Sequence, residues 1–165
     1  MARVFVSVGS NIDRDHNIDM ALRLLEASFG ELQRSSVYES EAVGFDSDPF
    51  YNLVVGFDTR DTPGEIQDVL HCIEEASGRI RTTGLSARTL DLDLLLYDDL
   101  VTEAEGLVLP RTDITRYAFV LAPLAEIAGA LRHPVTGERY ADMWSAFDEG
   151  DQALSRIDWP PATAS

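Results

Sequence analysis

Two aspartates separated by one residue, Asp91 and Asp93, lie in a leucine-rich segment that has the pattern of a β-strand over 90–97. Alternate side chains of a strand point to opposite faces, so both carboxylates are predicted to share one face. The opposite face, toward the core, is predicted to carry Leu90, Leu92, Leu94 and Leu96. Two residues span roughly 6.6 Å, so the carboxylates can reach a pair of ions about 3.5 to 4 Å apart. Such hard oxygen ligands suit magnesium. The aspartate pair alone equally fits an exposed strand face that is merely solvated.

Composition restricts the kinds of partner. The chain has 165 residues, a formal net charge of -16 and thirteen basic residues, all of them arginine. This acidity disfavours nucleic acid and anionic membranes, which require a positive surface. No stretch approaches the ~18 apolar residues of a membrane span, and the N-terminus shows no signal-peptide pattern. We therefore expect a cytoplasmic protein that binds small molecules, neither nucleic acid nor membrane, and acts as a monomer.

The elements that must position the aspartates follow from apolar spacing. Strand patterns alternate with helical patterns in the order β-α-β-β-α-β, followed by further helical segments. This order predicts an α+β fold, a ferredoxin-like two-layer sandwich with an antiparallel sheet and extra C-terminal helices. Helices are expected to cover one face of the sheet and to leave the other for a ligand. Residues 1–165 are predicted to form one domain, with a loose tail from about residue 155.

The residues around the aspartates resemble a known signature. Gly78-Arg79-Ile80-Arg81, a short loop and then Arg88-Thr89-Leu90-Asp91-Leu92-Asp93 are similar to the signature of the 6-hydroxymethyl-7,8-dihydropterin pyrophosphokinase family. The resemblance extends from Val8-Gly9-Ser10-Asn11 to the segment that ends at Ala128, and it weakens after about Gly129. It implies a ferredoxin-like fold and the transfer of diphosphate from ATP to the hydroxymethyl group of the pterin, with release of AMP, in folate biosynthesis.

The resemblance also implies roles in binding metal and nucleotide. Asp91 and Asp93 would bind two Mg²⁺ ions, and the metals would neutralise charge during an in-line displacement at phosphorus. Guanidinium groups match phosphate oxygens in geometry and charge. The positions where the family places phosphate-binding basic residues hold Arg79, Arg81 and Arg88. Two further candidates for contact with ATP are Arg111 and Arg116. On a second face of the helix that starts after Thr62, His71 and Glu74 would lie near ATP, although a solvated helix face explains them equally well.

A pterin slot is implied by a further set of positions. Phe50 and Phe119 match residues whose rings sandwich the pterin, and Asn52 matches the side chain that binds its amide edge. Ser40 and Val43 align with loop positions that contact the pterin through main-chain groups. Taken singly, each phenylalanine would be expected in the core, and Asn52 in a turn.

Several residues depart from the family pattern. Arg111 follows Pro110 where histidine is common, Tyr117 stands where an arginine is expected, and Arg116 is next to it. The loop from Arg79 to Arg88 is one residue shorter and lacks a tryptophan, and Glu41 replaces a frequent proline. Two alternatives therefore stay open: a diphosphokinase with another acceptor, and a weak or idle paralogue that binds a pterin or nucleotide.

Overall fold

A computed structural model describes residues 1–40, 49–77, 90–104, 106–150 and 152–159. The strands and helices alternate along the chain much as the apolar spacing predicts. No helix in these ranges combines the length and apolar character needed to cross a membrane. The strands are β1 Ala2–Ser10, β2 Gln33–Arg34, β3 Val37–Ser40, β4 Phe50–Thr59, β5 Asp91–Tyr97 and β6 Leu154–Ile157; the helices are α1 Arg14–Phe29, α2 Pro63–Ala76, α3 Asp113–Arg116, α4 Ala118–Ala128 and α5 Tyr140–Ser145.

The strands form an antiparallel sheet in the order β5-β1-β4-β3-β6, with β2 paired to β4. The predicted α+β fold with an antiparallel sheet is confirmed. Strand β1 lies between β5 and β4, so residues of these three strands meet in rows across the sheet. In one such row, Gly9 of β1 pairs with Asp91 on one side and with Asn52 on the other. The fold thus brings distant parts of the sequence together at one end of these three strands.

Helices pack against both faces of this sheet. On one face, α1 and α2 contribute to the larger hydrophobic core, for example through Leu22 and Leu70. On the other face, α4 packs in a second cluster with Val54 and Leu95. The prediction that helices cover only one face was therefore wrong. The reason is visible in α4, which buries residues on most of its circumference, as a helix enclosed from several sides must do.

A bulge in β5 changes the direction of its last leucines. Phe5 of β1 pairs with Leu96, but the next residue, Val6, pairs with Leu94, so Leu95 is an extra residue in β5. Such a bulge reverses the alternation of side chains beyond it. Leu94 accordingly packs in the larger core, whereas Leu95 and Leu96 both pack in the cluster of α4. The prediction that the leucine at 96 shares a face with Leu94 was wrong for this reason.

The C-terminal segment is more ordered than predicted. Residues Leu154–Ile157 form β6, which pairs antiparallel with β3 at the edge of the sheet. Arg156 also lies 3.6 Å from the carboxylate of Glu126 on α4, which accepts hydrogen bonds from Ser36. The prediction of a loose tail from about residue 155 was wrong for 155–157. A four-residue strand at a sheet edge carries too short an alternation to stand out in the sequence.

Candidate active site

The two aspartates lie on the sheet face that α4 covers. Asp93 pairs with Ser7 of β1, and Asp91 pairs with Gly9 one step further along. Because the bulge lies beyond them, both carboxylates keep the alternation that the sequence predicts and share their face with Leu95. Their side chains are partly buried rather than freely solvated. The hypothesis of a merely solvated strand face is therefore disfavoured.

Asp93 sits in a strongly acidic environment. Its side chain is 24% exposed, and its Oδ1 lies 3.4 Å from Nη2 of Arg111. The pKa of Asp93 is raised to about 7, mainly by burial and then by repulsion from Asp91, while the charge of Arg111 opposes the shift. Asp113 and Glu74 make smaller contributions to the same increase. An additional cation beside Asp93 would therefore stabilise its charged form.

Arg111 is held in place by its backbone and by its side chain. Its backbone N–H donates to the carbonyl of Leu95, the extra residue of the bulge, at 3.0 Å. Its Nε donates to Oδ2 of Asp113 at 3.2 Å. Burial disfavours the charge of Arg111, but Asp93 and Asp113 outweigh it and raise its pKa. Arg111 is thus a permanent cation beside the aspartate pair, as expected for its position.

Glu74 contributes to the site through the backbone. It is buried on α2, at 5% exposure, and its Oε2 accepts a hydrogen bond from the backbone N–H of Leu92 at 2.9 Å. Leu92 lies between the two aspartates, so this bond ties α2 to the part of β5 that carries them. The capping box at Thr62 and Glu65 sets the start of the same helix, with bonds of 3.2 and 2.9 Å.

The donor set around Asp93 suits hard divalent cations. Carboxylates outnumber cations there: Asp91, Asp93, Asp113 and Glu74 all act on a region where Arg111 supplies a positive charge. Carboxylate oxygens are preferred ligands of Mg²⁺, which usually takes one or two of them and keeps water on its other positions. No group of three or more histidine, cysteine or acidic side chains arranged to hold a metal occurs in the part of the chain that the structure describes. The two aspartates alone still meet the requirement of magnesium.

Asn52 lies across β1 from Asp91 and is buried, at 7% exposure. Its Nδ2 donates to Oγ of Ser40 at 3.0 Å, so two residues predicted for the pterin slot are in direct contact. Gly9 separates Asn52 from Asp91, and a Cβ atom on Gly9 would lie 2.8 Å from Oδ1 of Asn52. A side chain at this position would therefore displace the amide of Asn52 from its observed place.

The two predicted aromatic residues belong to β4 and to the helix that packs against it. Phe50 begins β4 and, two residues before Asn52, shares its face of the sheet. Phe119 lies in the first turn of α4, the helix that packs against β4. Its ring stacks on that of Tyr117, with centroids 5.0 Å apart and planes at 22°. Both phenylalanines are half-buried, so each keeps surface for contact with another ring.

Two further predicted residues are exposed on helices. His71 is exposed on α2, and Arg116 is exposed at the end of α3. Arg79, Arg81, Arg88 and Val43 lie outside the described residues. Two residues near the site were missed, namely Gly9 and Asp113. The pair Arg111 and Asp113, of opposite charge and two residues apart, was a signal in the sequence that could have identified the second.

Comparison with known proteins agrees with these features. A model of the 7,8-dihydro-6-hydroxymethylpterin-pyrophosphokinase family matches residues 5–129. The chain is 39% identical over 152 residues to 2-amino-4-hydroxy-6-hydroxymethyldihydropteridine pyrophosphokinase of Methylorubrum extorquens, covering 90% of this chain and 95% of the relative. It is 36% identical over 136 residues to the protein of the same name from Bacillus subtilis, covering 80% and 81%.

Longer relatives contain a similar region. Folic acid synthesis protein fol1 of Pneumocystis carinii is 31% identical over 151 residues, and the match covers 90% of this chain but only 20% of that protein. The chain thus spans about one fifth of its length. A solved structure of Plasmodium falciparum HPPK-DHPS with pterin and p-hydroxybenzoate superposes with a TM-score of 0.71 at 15% identity, over 87% of this chain and 42% of that one. At this identity the likeness concerns the fold alone. The family model and the bacterial relatives nevertheless show that the chain belongs to the 7,8-dihydro-6-hydroxymethylpterin-pyrophosphokinase family.

Proposed function

We propose that this protein transfers diphosphate from ATP to the hydroxymethyl group of 6-hydroxymethyl-7,8-dihydropterin, with release of AMP, in folate synthesis. The observation that carries the proposal is the row across β5, β1 and β4, in which only β1 separates an acidic pair suited to divalent cations from a buried amide. The pterin hydroxyl oxygen bonds to the β-phosphorus while the bond from this phosphorus to the α–β bridging oxygen breaks. The hydroxyl proton is lost to solvent, and AMP departs.

Asp91 and Asp93 are the residues that would hold Mg²⁺, and we propose two ions. Bound magnesium would neutralise the phosphate charge that develops during displacement. Arg111 would bind phosphate oxygens with its terminal nitrogens, because guanidinium groups match phosphates in charge and geometry. No protein nucleophile is needed for this reaction, so positioning and charge supply the catalysis.

The pterin would lie over the β4 end of this row, next to Asn52. Asn52 offers hydrogen bonds to the amide edge of the pterin, and its contact with Ser40 fixes its orientation. Phe50 and Phe119 would pack on the two faces of the flat ring, a favourable arrangement for aromatic systems. Since Tyr117 stacks on one side of Phe119, the opposite side of that ring would face the pterin. Val43 would contribute main-chain contacts.

Further contacts to ATP are part of the same proposal. Arg79, Arg81 and Arg88 would bind phosphate oxygens, and Arg116 and His71 would lie near the nucleotide. The buried position of Glu74 and its bond to Leu92 favour a supporting role in the nucleotide site rather than a solvated one.

The proposed reaction can be tested by separating the products. Incubation of the protein with ATP, magnesium and 6-hydroxymethyl-7,8-dihydropterin should give AMP and the pterin diphosphate in equal amounts, as measured by chromatography with mass detection. Omission of the pterin or addition of a chelator should abolish both products. AMP formed equally well without the pterin would contradict the proposed acceptor, and the absence of AMP under all conditions would favour an idle binding protein.

Replacement of Gly9 by alanine should weaken pterin binding selectively. The added Cβ would displace Oδ1 of Asn52, which it would otherwise approach to 2.8 Å. We expect the pterin affinity to fall roughly tenfold, by about 1.4 kcal/mol, because the amide no longer meets its partner. Fluorescence titration with the pterin would measure this, and calorimetry should show nearly unchanged ATP binding. Gly64→Ala provides a control, since nothing lies within 4 Å of a Cβ there.

Asn52→Ala should also lower the pterin affinity, by about 1 to 3 kcal/mol, since ligand groups and Ser40 both lose a partner. Phe119→Ala should weaken the same binding by removing stacking contact. The titration used for Gly9→Ala applies here too. If both variants bound the pterin as tightly as the parent protein, the slot would have to lie elsewhere.

A further inference from the structure

Asp113 is a charged residue next to the candidate active site to which the sequence analysis assigned no role. Its Oδ2 accepts a hydrogen bond from Nε of Arg111 at 3.2 Å, whereas Nη2 of Arg111 lies 3.4 Å from Asp93. One guanidinium group therefore contacts two carboxylates through different nitrogen atoms. The side chains of Asp93 and Asp113 are 24% and 26% exposed, so both contacts are partly screened from water.

Both ends of the contact between Arg111 and Asp113 are anchored in the fold. The backbone of Arg111 bonds to the carbonyl of Leu95 at 3.0 Å. Asp113 begins α3, whose next residue, Ile114, is completely buried. The distance between the two residues is therefore set by the sheet and by α3, and it does not depend on Asp93.

We propose that Asp113 is a positioning residue for nucleotide binding. Asp113 keeps its hydrogen bond to Nε of Arg111 when a divalent cation takes the place of the guanidinium at Asp93. It thereby directs the terminal nitrogens of Arg111 to the polyphosphate that accompanies the cation. This inference rests on the proposed function, since it requires that cation and polyphosphate bind at this site.

The geometry of a guanidinium group explains why a second carboxylate matters. A bond through Nε fixes the plane of the group and leaves the two terminal nitrogens for bidentate contact with phosphate. Without Asp113, an Arg111 released from Asp93 would regain its rotational freedom and would have to lose it again on binding phosphate. Asp113 thus prepares the side chain for a ligand that it does not touch.

The direction in which the nucleotide affinity changes distinguishes a positioning role from simple electrostatics. Removal of a negative charge near an anionic ligand should strengthen its binding if charge alone decides. If Asp113 acts by positioning Arg111, its removal should weaken binding instead.

The test is a double-mutant cycle on Arg111 and Asp113 in the full chain. Calorimetry would measure the affinity for α,β-methylene-ATP in the presence of magnesium. We expect Arg111→Ala and Asp113→Ala each to weaken binding about tenfold, as loss of a charge-assisted hydrogen bond does. The double variant should bind no more weakly than Arg111→Ala alone. Asp142→Ala is a matched control, because Asp142 also lies in the first turn of a short helix and accepts from Nε of Arg139 at 3.2 Å.

Each outcome decides the inference. Unchanged or tighter binding by Asp113→Ala, or a loss near a hundredfold in the double variant, would overturn the role of Asp113 and leave the proposed function standing. A parent protein that does not bind the magnesium nucleotide at all would overturn both. If circular dichroism shows that Asp113→Ala does not fold, Asp113→Asn replaces it, with an expected loss of several-fold that again disappears in the Arg111→Ala background.

Discussion

Replacement of Asp93 by asparagine should reduce diphosphate transfer about a thousandfold while the protein stays folded. The substitution keeps the size of the side chain but removes the charge that would hold magnesium, so the charge on the phosphates in the transition state is no longer neutralised. Asp91→Asn should behave in the same way. Rates of AMP formation at saturating magnesium and ATP would measure the effect.

A matched control for this prediction is Asp142→Asn, a change in an exposed aspartate away from the row of Asp91, Gly9 and Asn52. It should leave the rate unchanged. A rate within a few-fold of the parent protein for either Asp91→Asn or Asp93→Asn would show that these residues do not hold an essential cation.

The second prediction concerns how the stability of the metal-free protein depends on pH. The pKa of Asp93 is raised from 3.8 to about 7 in the folded protein, first by burial and then by Asp91. The folded state therefore binds more protons than the unfolded state between these pH values. The stabilisation from protonated Asp93 is fully present below about pH 4 and is lost as the pH rises through about 7.

We expect the free energy of unfolding of the parent protein to fall, relative to that of Asp93→Asn, by roughly 2 kcal/mol or more from pH 4 to pH 8. Denaturant unfolding of both proteins in a chelator would show this, since comparison of the two removes the common effect of the acidic surface. Asp93→Asn should thus be the more stable and the less active protein at pH 8. If the parent were the more stable at pH 8, the attraction between Arg111 and Asp93 would outweigh burial and repulsion.

The sequence was sufficient to predict how the two aspartates are arranged, because the responsible pattern is local. Asp91 and Asp93 are two residues apart, and the period of a strand alone places them on one face. The contact of Asn52 with Ser40 could also have been predicted, because the resemblance assigns both residues to one pterin slot. By contrast, the need for Gly9 depends on the pairing of β1 with β4, which no local pattern contains.

Pairing between strands that are far apart in the sequence explains why the bulge in β5 and strand β6 were not predicted. The bulge at Leu95 arises where the pairing of β5 with β1 shifts, and the alternation of leucines gives no sign of it. The same bulge supplies the carbonyl that holds Arg111, so a feature invisible in the sequence positions a residue of the site. Strand β6 was missed because its four residues gain their order from β3, more than a hundred positions earlier in the chain.

A crystal structure with magnesium, α,β-methylene-ATP and 6-hydroxymethylpterin would test the central claim most directly. We predict cations bound by Asp91 and Asp93, the nucleotide phosphates against Arg111, and the pterin on Asn52 between the rings of Phe50 and Phe119. The account would be contradicted if the cations lay away from both aspartates, or if the ligands occupied another site, such as the cavity of about 420 Å³ that Arg3, Asp98 and Tyr140 help to line at the opposite end of β1.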